Sequence, residues 1–582
     1  MSPRGAPERR SFVGVVARRG RFLVAEPLFE RASQVPLRGG VRVRPGEMAL
    51  VTLGRAGARA IAVLGSPDRA LDVASAVISE RGLERGFSDR VESEAGDAVV
   101  AARKIHANRR DLTHMPTFTV DPATARDFDD AVSAAPEGDG VRLWIHIADV
   151  AAHVRPGSAL DAEALRRATS TYVPGAVEPM LPEALSADAC SLGPGVERLA
   201  VTVEMVVSAA GEPGSVSFYR SLVRSDARLN YEQLDEFFAG RAEPPEAIAE
   251  PLTLARRAAA ALAARRPVAA LEVESFEPEF EFDSEGQVLG AKSVPQTEAH
   301  KLIEHLMITT NEQVAALLER RGTPTLYRVH EKPDPARIAH LIEQLAALEI
   351  PTPPLPETLS PQEAGELAGE ASRLVAREAE RRGHGRDAYT SLVLRSLKQA
   401  IYSPKNIGHA GLGSPAYVHF TSPIRRYPDL VAHRALLSVM GAGEAEPDPP
   451  AVGEAGWRSS DRERSSAAIE RDADKACAAF LLRRELFECD PSREFEGEVS
   501  GVVGAGAFVR FGGEVADVYE GFLPARRLRG ERFDLNETET ALVGGRSGKT
   551  IRLGDPVGVV VTDVDAPRGR VDLAPSREPD HG

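Results

Sequence analysis

TFTVDPATARDFDDAVSAA, residues 117–135, is the stretch from which the rest of the chain is read, because it sets Asp121, Asp127, Asp129 and Asp130 within ten residues of one another. As a strand, DFDD would turn Asp127 and Asp129 to one face and Phe128 to the other, where the ring can anchor in the core. Pro122 lacks a backbone donor and favours a bend, so PATAR is expected to loop out and return Asp121 beside the pair, with Asp130 closing the group. Carboxylates packed this closely raise one another's pKa unless cations or solvent neutralise them. The stretch contains no His or Cys, and oxygen donors alone favour Mg2+, with Mn2+ as a substitute, over zinc or copper. Two such ions can activate water and stabilise the leaving oxygen of a phosphodiester. The bare cluster equally fits a solvated acidic turn or a structural calcium loop, although the glycine and distant glutamate of an EF-hand are missing.

Outward from this stretch, strand-like VRLWIHIADV (141–150) mixes with helical HKLIEHLMITTNEQVAALLERR (300–321) and LARRAAAALAARR (254–266), which predicts one large α+β unit. Ile469, Ala473, Ala476, Cys477 and Phe480 follow helical spacing and predict the buried stripe of a long helix, with Cys477 in the core. PTPPLPETLSPQEAG (351–365) and MGAGEAEPDPPAVGEAG (440–456) are expected to be surface loops. At the two ends, SFVGVVARRGRFLVAEP (11–27) with VRVRPGEMALVTLGRAGARAIAVLG (41–65), and EFEGEVSGVVGAGAFVRFGGEVADVYEGFLPARRL (494–528) with LGDPVGVVVTDVDAPRGRVDLAP (553–575), are short Val/Phe-rich runs separated by Gly and Pro. That pattern predicts a small OB-type β-barrel at each end, a fold that often holds single-stranded nucleic acid. The expected architecture is multidomain α+β: an N-terminal OB-type barrel over 1–75, a large α+β unit over 76–490, and a C-terminal OB-type barrel over 494–576.

At 582 residues the chain exceeds what one core supports. Its formal charge of −15 excludes coating nucleic acid by bulk electrostatics, so any such binding must be local. No stretch approaches the roughly 18 uninterrupted apolar residues of a membrane span. The N-terminus lacks a secretory h-region, so the cytoplasm is the expected address. Three cysteines without metal-site spacing argue against a disulfide framework or zinc.

The aspartate stretch and its neighbours resemble, over about residues 75–490, the RNB catalytic domain of the RNase II and RNase R exoribonuclease family. DPATARDFDDAVS, WIHIADV, STYVPGAVEPMLPEALSADACSL, VRSDARLNY, EAHKLIEHLMI, LYRVHEKP, LRSLKQAIYSPKNIGHAGL and HFTSPIRRYPDLVAHR carry the resemblance, all in one order. LYRVHEKP and SPIRRYPDL are nearer to the RNase R branch. The resemblance implies a processive, magnesium-dependent 3′-to-5′ hydrolase that releases nucleoside 5′-monophosphates from single-stranded RNA with a free 3′ end. It implies metal ligation by Asp121, Asp127, Asp129 and Asp130, with Asp129, Asp130 and Arg425 as the catalytic set. By the same resemblance Tyr172 stacks on the terminal nucleotides, and Glu304, Glu470 and Arg426 lie near the RNA. A monomer is expected. The alternative is a catalytically inactive RNA-binding member of the family.

His300 and Glu304 stand one helical turn apart, a spacing read as helix-surface hydrogen bonding. Val273 stands where the family commonly has a base-stacking phenylalanine, with Phe276 as a substitute. Only one barrel fits before residue 75 and no Lys-rich tail follows, which argues against digestion through stable duplexes. Arg526, Arg527, Arg529 and Arg532 form the best basic patch of the C-terminal barrel.

Overall fold

The computed structural model describes residues 11–54, 57–102, 108–266, 277–488, 493–512, 518–528 and 530–576. Val273 and Phe276 lie outside them. The first punctuated runs form five strands, Ser11–Arg19, Phe22–Pro27, Val35–Gly40, Met48–Gly54 and Gly57–Gly65, closed into a barrel in the order one-two-three-five-four. The third and fifth strands run parallel and meet at Gly40, where φ is +110° and a Cβ would sit 1.9 Å from the Ala60 carbonyl oxygen. Only glycine fits there. At the other end Glu494–Val503, Gly506–Phe511, Tyr519–Pro524, Pro556–Asp565 and Arg570–Pro575 close in the same order. A small three-stranded sheet from residues 533–552 is inserted between the third and fourth strands.

The middle of the chain is built on a seven-stranded sheet. Its spatial order is Ala227–Leu229, Phe118–Val120, Asp130–Glu137, Gly140–Ala148, Glu197–Val207, Pro213–Arg224 and Arg110–Asp111. The inner strands are antiparallel, and the first and last pair in parallel with their neighbours. The Ala/Arg-rich run lies in the helix Glu246–Ala264, which buries Leu254, Ala255, Ala258, Ala259 and Leu262. The fold is therefore multidomain α+β with an OB-type barrel at each end.

Ile469, Ala473, Ala476, Cys477 and Phe480 are all buried on one helix, Pro449–Glu488, which runs from the central domain to the C-terminal barrel. Both expected loops are shorter than their composition suggests. Helices begin at Pro361, capped by Ser360 and Glu363, and at Pro449, where the Asp448 carboxylate accepts from the Ala451 amide. Proline suits the first helical turn, where its missing N–H costs nothing, so a Pro-rich run here starts a helix rather than excluding one.

Candidate active site

Residues 121–129 do not form the strand that DFDD suggests; the strand begins at Asp130. The backbone finds partners outside a ladder. The Phe128 amide donates to Ser191 Oγ at 3.0 Å, the Ser191 hydroxyl donates to the Arg126 carbonyl at 2.8 Å, and the Leu192 amide donates to the Phe128 carbonyl at 2.9 Å. PATAR does turn back, with the Ala125 amide on the Pro122 carbonyl at 3.0 Å. Arg228 ties that turn down: one guanidinium nitrogen donates to the carbonyls of Pro122, Ala123 and Ala125, and the group lies 5.0 Å from the centre of the Phe128 ring. Phe128 is buried as expected, held by this loop rather than by strand alternation.

Asp129 is buried; its Oδ1 accepts from the Ile424 amide at 2.8 Å, and its Oδ2 lies 3.5 Å from Arg425 Nε. Asp127 Oδ2 accepts from the Tyr172 hydroxyl at 3.0 Å. Asp121 Oδ2 and Asp129 Oδ2 are both buried and receive no hydrogen bond. Burial, then the charges of Asp130 and Asp127, push Asp121 up to about 8. Burial likewise pushes Asp130 up to about 7 and Asp129 well above the carboxylate range, despite Arg425 nearby. Two unsatisfied acceptors in a repelling acidic group fit a hard cation, which would take up the negative charge. Among the described residues, no three acidic, imidazole or thiol side chains converge closely enough to enclose an ion unaided.

Arg425 and Arg426 reach the site by a pairing distant in sequence. The Ser170 amide donates to the Arg425 carbonyl at 2.9 Å, and Thr169 bridges to Arg426, so the arginine loop lies against the segment leading to Tyr172. Among the described residues the Arg425 guanidinium pairs with Ser422 and Asp129, and its side chain is 46% exposed. Arg426 is clamped in a two-pronged pair with Asp429 at 2.9 and 2.8 Å, and Asp429 also accepts from the Ser422 amide. Its guanidinium shapes the loop and offers no free fork.

Tyr172 is 38% exposed, with its hydroxyl fixed by Asp127. Glu470 meets it from the long helix, Oε1 accepting from the Tyr172 amide at 2.9 Å and from the Ser466 hydroxyl at 3.1 Å. Glu304 is exposed and accepts from Gln296 at 2.7 Å; no contact brings it to the aspartates. His300 bonds to Thr297 rather than Glu304 and stacks on Tyr231, rings 3.9 Å apart and 13° from parallel. Sequence reading passed over Tyr231, which sits close enough to Asp130 and Asp121 for their charges, after burial, to raise its pKa. The available signal was its place at the end of VRSDARLNY, whose strand Ala227–Leu229 pairs with Phe118–Val120.

The chain is similar to known proteins in both sequence and fold. The RNB domain model matches residues 109–442, more than half of the chain, and the S1 RNA binding domain model matches 492–575. Ribonuclease R of Aquifex aeolicus is 34% identical over 525 residues, 88% of this chain and 72% of that protein. Ribonuclease R of Escherichia coli is 36% identical over 484 residues, 80% of this chain and 57% of that one. In fold, the chain matches Mycoplasma genitalium RNase R, solved with ribose-methylated single-stranded RNA, at a TM-score of 0.86 and 24% identity, over 98% of this chain and 90% of that one. The domain matches and the extent of these identities establish that the chain belongs to the ribonuclease R family of hydrolytic 3′-to-5′ exoribonucleases.

Proposed function

We propose that this chain degrades single-stranded RNA processively from a free 3′ end to nucleoside 5′-monophosphates, as a monomer in the cytoplasm, with Mg2+ or Mn2+ held by Asp121, Asp127, Asp129 and Asp130. The observation that carries the reading is the pair of buried carboxylate oxygens on Asp121 and Asp129 that receive no hydrogen bond, beside a half-exposed Arg425. A divalent cation supplies Lewis acidity toward the phosphodiester when bound there. Arg425 is tethered through Nε to Asp129 and through Nη2 to Ser422, which presents Nη1 to phosphate oxygens while charge shifts. Asp127 fixes the edge of the Tyr172 ring, whose face then stacks on a base of any identity. Glu470 acts by holding the Tyr172 backbone, and Arg426 by holding the loop that presents Arg425.

The C-terminal barrel offers an approach for the strand. Exposed Phe508 packs on Phe522 with ring centres 5.2 Å apart, and both line a cleft of about 900 Å³ whose Arg81 and Lys475 are paired with Asp472 and Glu520, so the stacking faces rather than net charge support the approach. Incubation of excess 5′-labelled RNA should convert full-length strand directly to a short limit product in Mg2+, with no cleavage in chelator. Internal fragments, or full activity in chelator, would sink the proposal. RNA binding without turnover in Mg2+ or Mn2+ would favour the inactive alternative.

A further inference from the structure

Behind the acidic loop, one polar side chain from the residue preceding Phe118–Val120 and from each of the next four strands joins a continuous hydrogen-bonded row through the buried sheet. Thr117 Oγ1 lies 2.7 Å from Ser133 Oγ, which lies 3.1 Å from His146 Nε2. His146 Nδ1 lies 2.9 Å from Thr202 Oγ1, and Thr202 lies 2.6 Å from Ser221 Oγ. All five residues are 0–1% exposed. His146 reaches two strands because Thr202 stands directly opposite it while its other opposite residue is Ala131, which leaves room to reach Ser133 on the diagonal.

The proton order follows from one fixed end. Thr117 donates to the Met115 carbonyl at 2.9 Å, so Ser133 must donate to Thr117 and accept from His146 Nε2–H. A neutral imidazole then accepts at Nδ1 from Thr202, which accepts from Ser221. Burial pushes His146 down to about 3, which keeps it neutral at ordinary pH. Every hydroxyl in the row has both a donor and an acceptor role except Ser221 at the far end, and the set is satisfied in one register only.

Register matters most at the strand pair that carries the acids. Phe118–Val120 is three residues long and pairs with the strand Asp130–Glu137 at a single position, Phe118 opposite Val132. Extending that register sets Val120 opposite Asp130, so Asp121 and Asp130 are neighbours only while it holds. A one-residue slip would turn the side chains of that strand to the other face.

We propose that the Thr117–Ser133–His146–Thr202–Ser221 row is a register lock for the cation site, with Thr117, Ser133 and His146 as positioning residues that set Asp121 against Asp130. This rests on the metal reading above, and the test separates the two. Mn2+ affinity, read by electron paramagnetic resonance on the full chain, should weaken at least about tenfold in Thr117→Val, the scale for groups that orient metal ligands. Thr117→Ser, which keeps the hydroxyl, should restore it. Thr202→Val breaks the row at its far end and should weaken affinity less than Thr117→Val. If Thr117→Val does not fold, Ser133→Ala carries the same expectation. Unchanged Mn2+ affinity in folded Thr117→Val or Ser133→Ala would overturn the lock alone. Absence of Mn2+ binding by the unaltered chain would overturn the metal reading and the lock with it.

Discussion

Two sets of buried carboxylates lie side by side on the central sheet, and the chain treats them in opposite ways. Asp149 is completely buried between two arginines, with Arg109 at 2.6 Å and Arg220 at 2.9 Å. Burial alone would push its pKa up, but the two guanidinium groups outweigh that and hold it below the ordinary range. Asp129 is buried and Asp121 and Asp130 are half-buried, and the charges of Arg425, Arg228 and Arg426 do not outweigh desolvation there, so their pKa values rise. Asp129 is 4% exposed and Asp149 1%, so distance from solvent does not separate these two. Cations do. A carboxylate that already has its counter-charge is structural; one left without it is poised for a charge from outside, which is the physical signature of a metal site.

That contrast breaks most visibly through Asp129→Asn and Asp149→Asn. Asp129→Asn should lower turnover of single-stranded RNA by at least about 10²–10³-fold, the scale for losing a group that stabilises developing charge, without lowering the metal-free melting temperature. Steady-state kinetics and thermal unfolding on the same sample check both halves. Arg425→Ala should cost a similar or slightly smaller factor in turnover, and Arg425→Lys should recover only part of it because the planar fork is lost. Asp149→Asn leaves two buried arginines without their partner and should cost roughly 3–5 kcal/mol of stability in chemical denaturation. An equal loss of stability in Asp129→Asn and Asp149→Asn would erase the distinction.

The pH dependence sharpens the same point. In the metal-free fold Asp130 at about 7 and Asp121 at about 8 stand above the unfolded value of about 3.9. Their contribution to stability is fully present below about pH 4 and is lost as pH rises through 7 and 8, where the fold must ionise them. A cation has to displace those protons, so the half-saturating Mg2+ concentration should fall by up to about tenfold per pH unit for each proton displaced, levelling off above about pH 8. Calorimetric titration at pH 6, 7, 8 and 9 measures it; a flat profile contradicts the assignment. The smallest effect is expected of Tyr172→Ala, which removes a stacking face worth about 1–3 kcal/mol per base and should lengthen the limit product by a few nucleotides. High-resolution gel analysis of the end product reads it directly.

How much of this was legible in the sequence depends on how local each signal is. The barrels and the long helix follow from periodicity within a few residues, and the four aspartates announce themselves by proximity. Phe128 was placed correctly for the wrong local reason, since Ser191 and Leu192, more than sixty residues away, occupy the bonds a strand partner would have made. Arg425 and Arg426 are indistinguishable as a dipeptide. Their fates diverge because Asp429 lies three residues beyond Arg426 on the following helix and clamps it, a clue present in the sequence at i, i+3 spacing. Tyr231, Arg228 and the Arg109–Asp149–Arg220 group depend on strand pairings between distant segments, which composition and periodicity do not encode. Glu304 is exposed and accepts from Gln296, a pairing eight residues back that its motif does not announce.

The most direct test is the shift in melting temperature on adding saturating Mg2+ at pH 8 to the unaltered chain and to Asp129→Asn, since a ligand that binds only the folded state stabilises it in proportion to its affinity. The account predicts a clear rise for the unaltered chain and a much smaller one for Asp129→Asn. Equal rises, or no rise in either, would mean that the buried acids do not hold the cation.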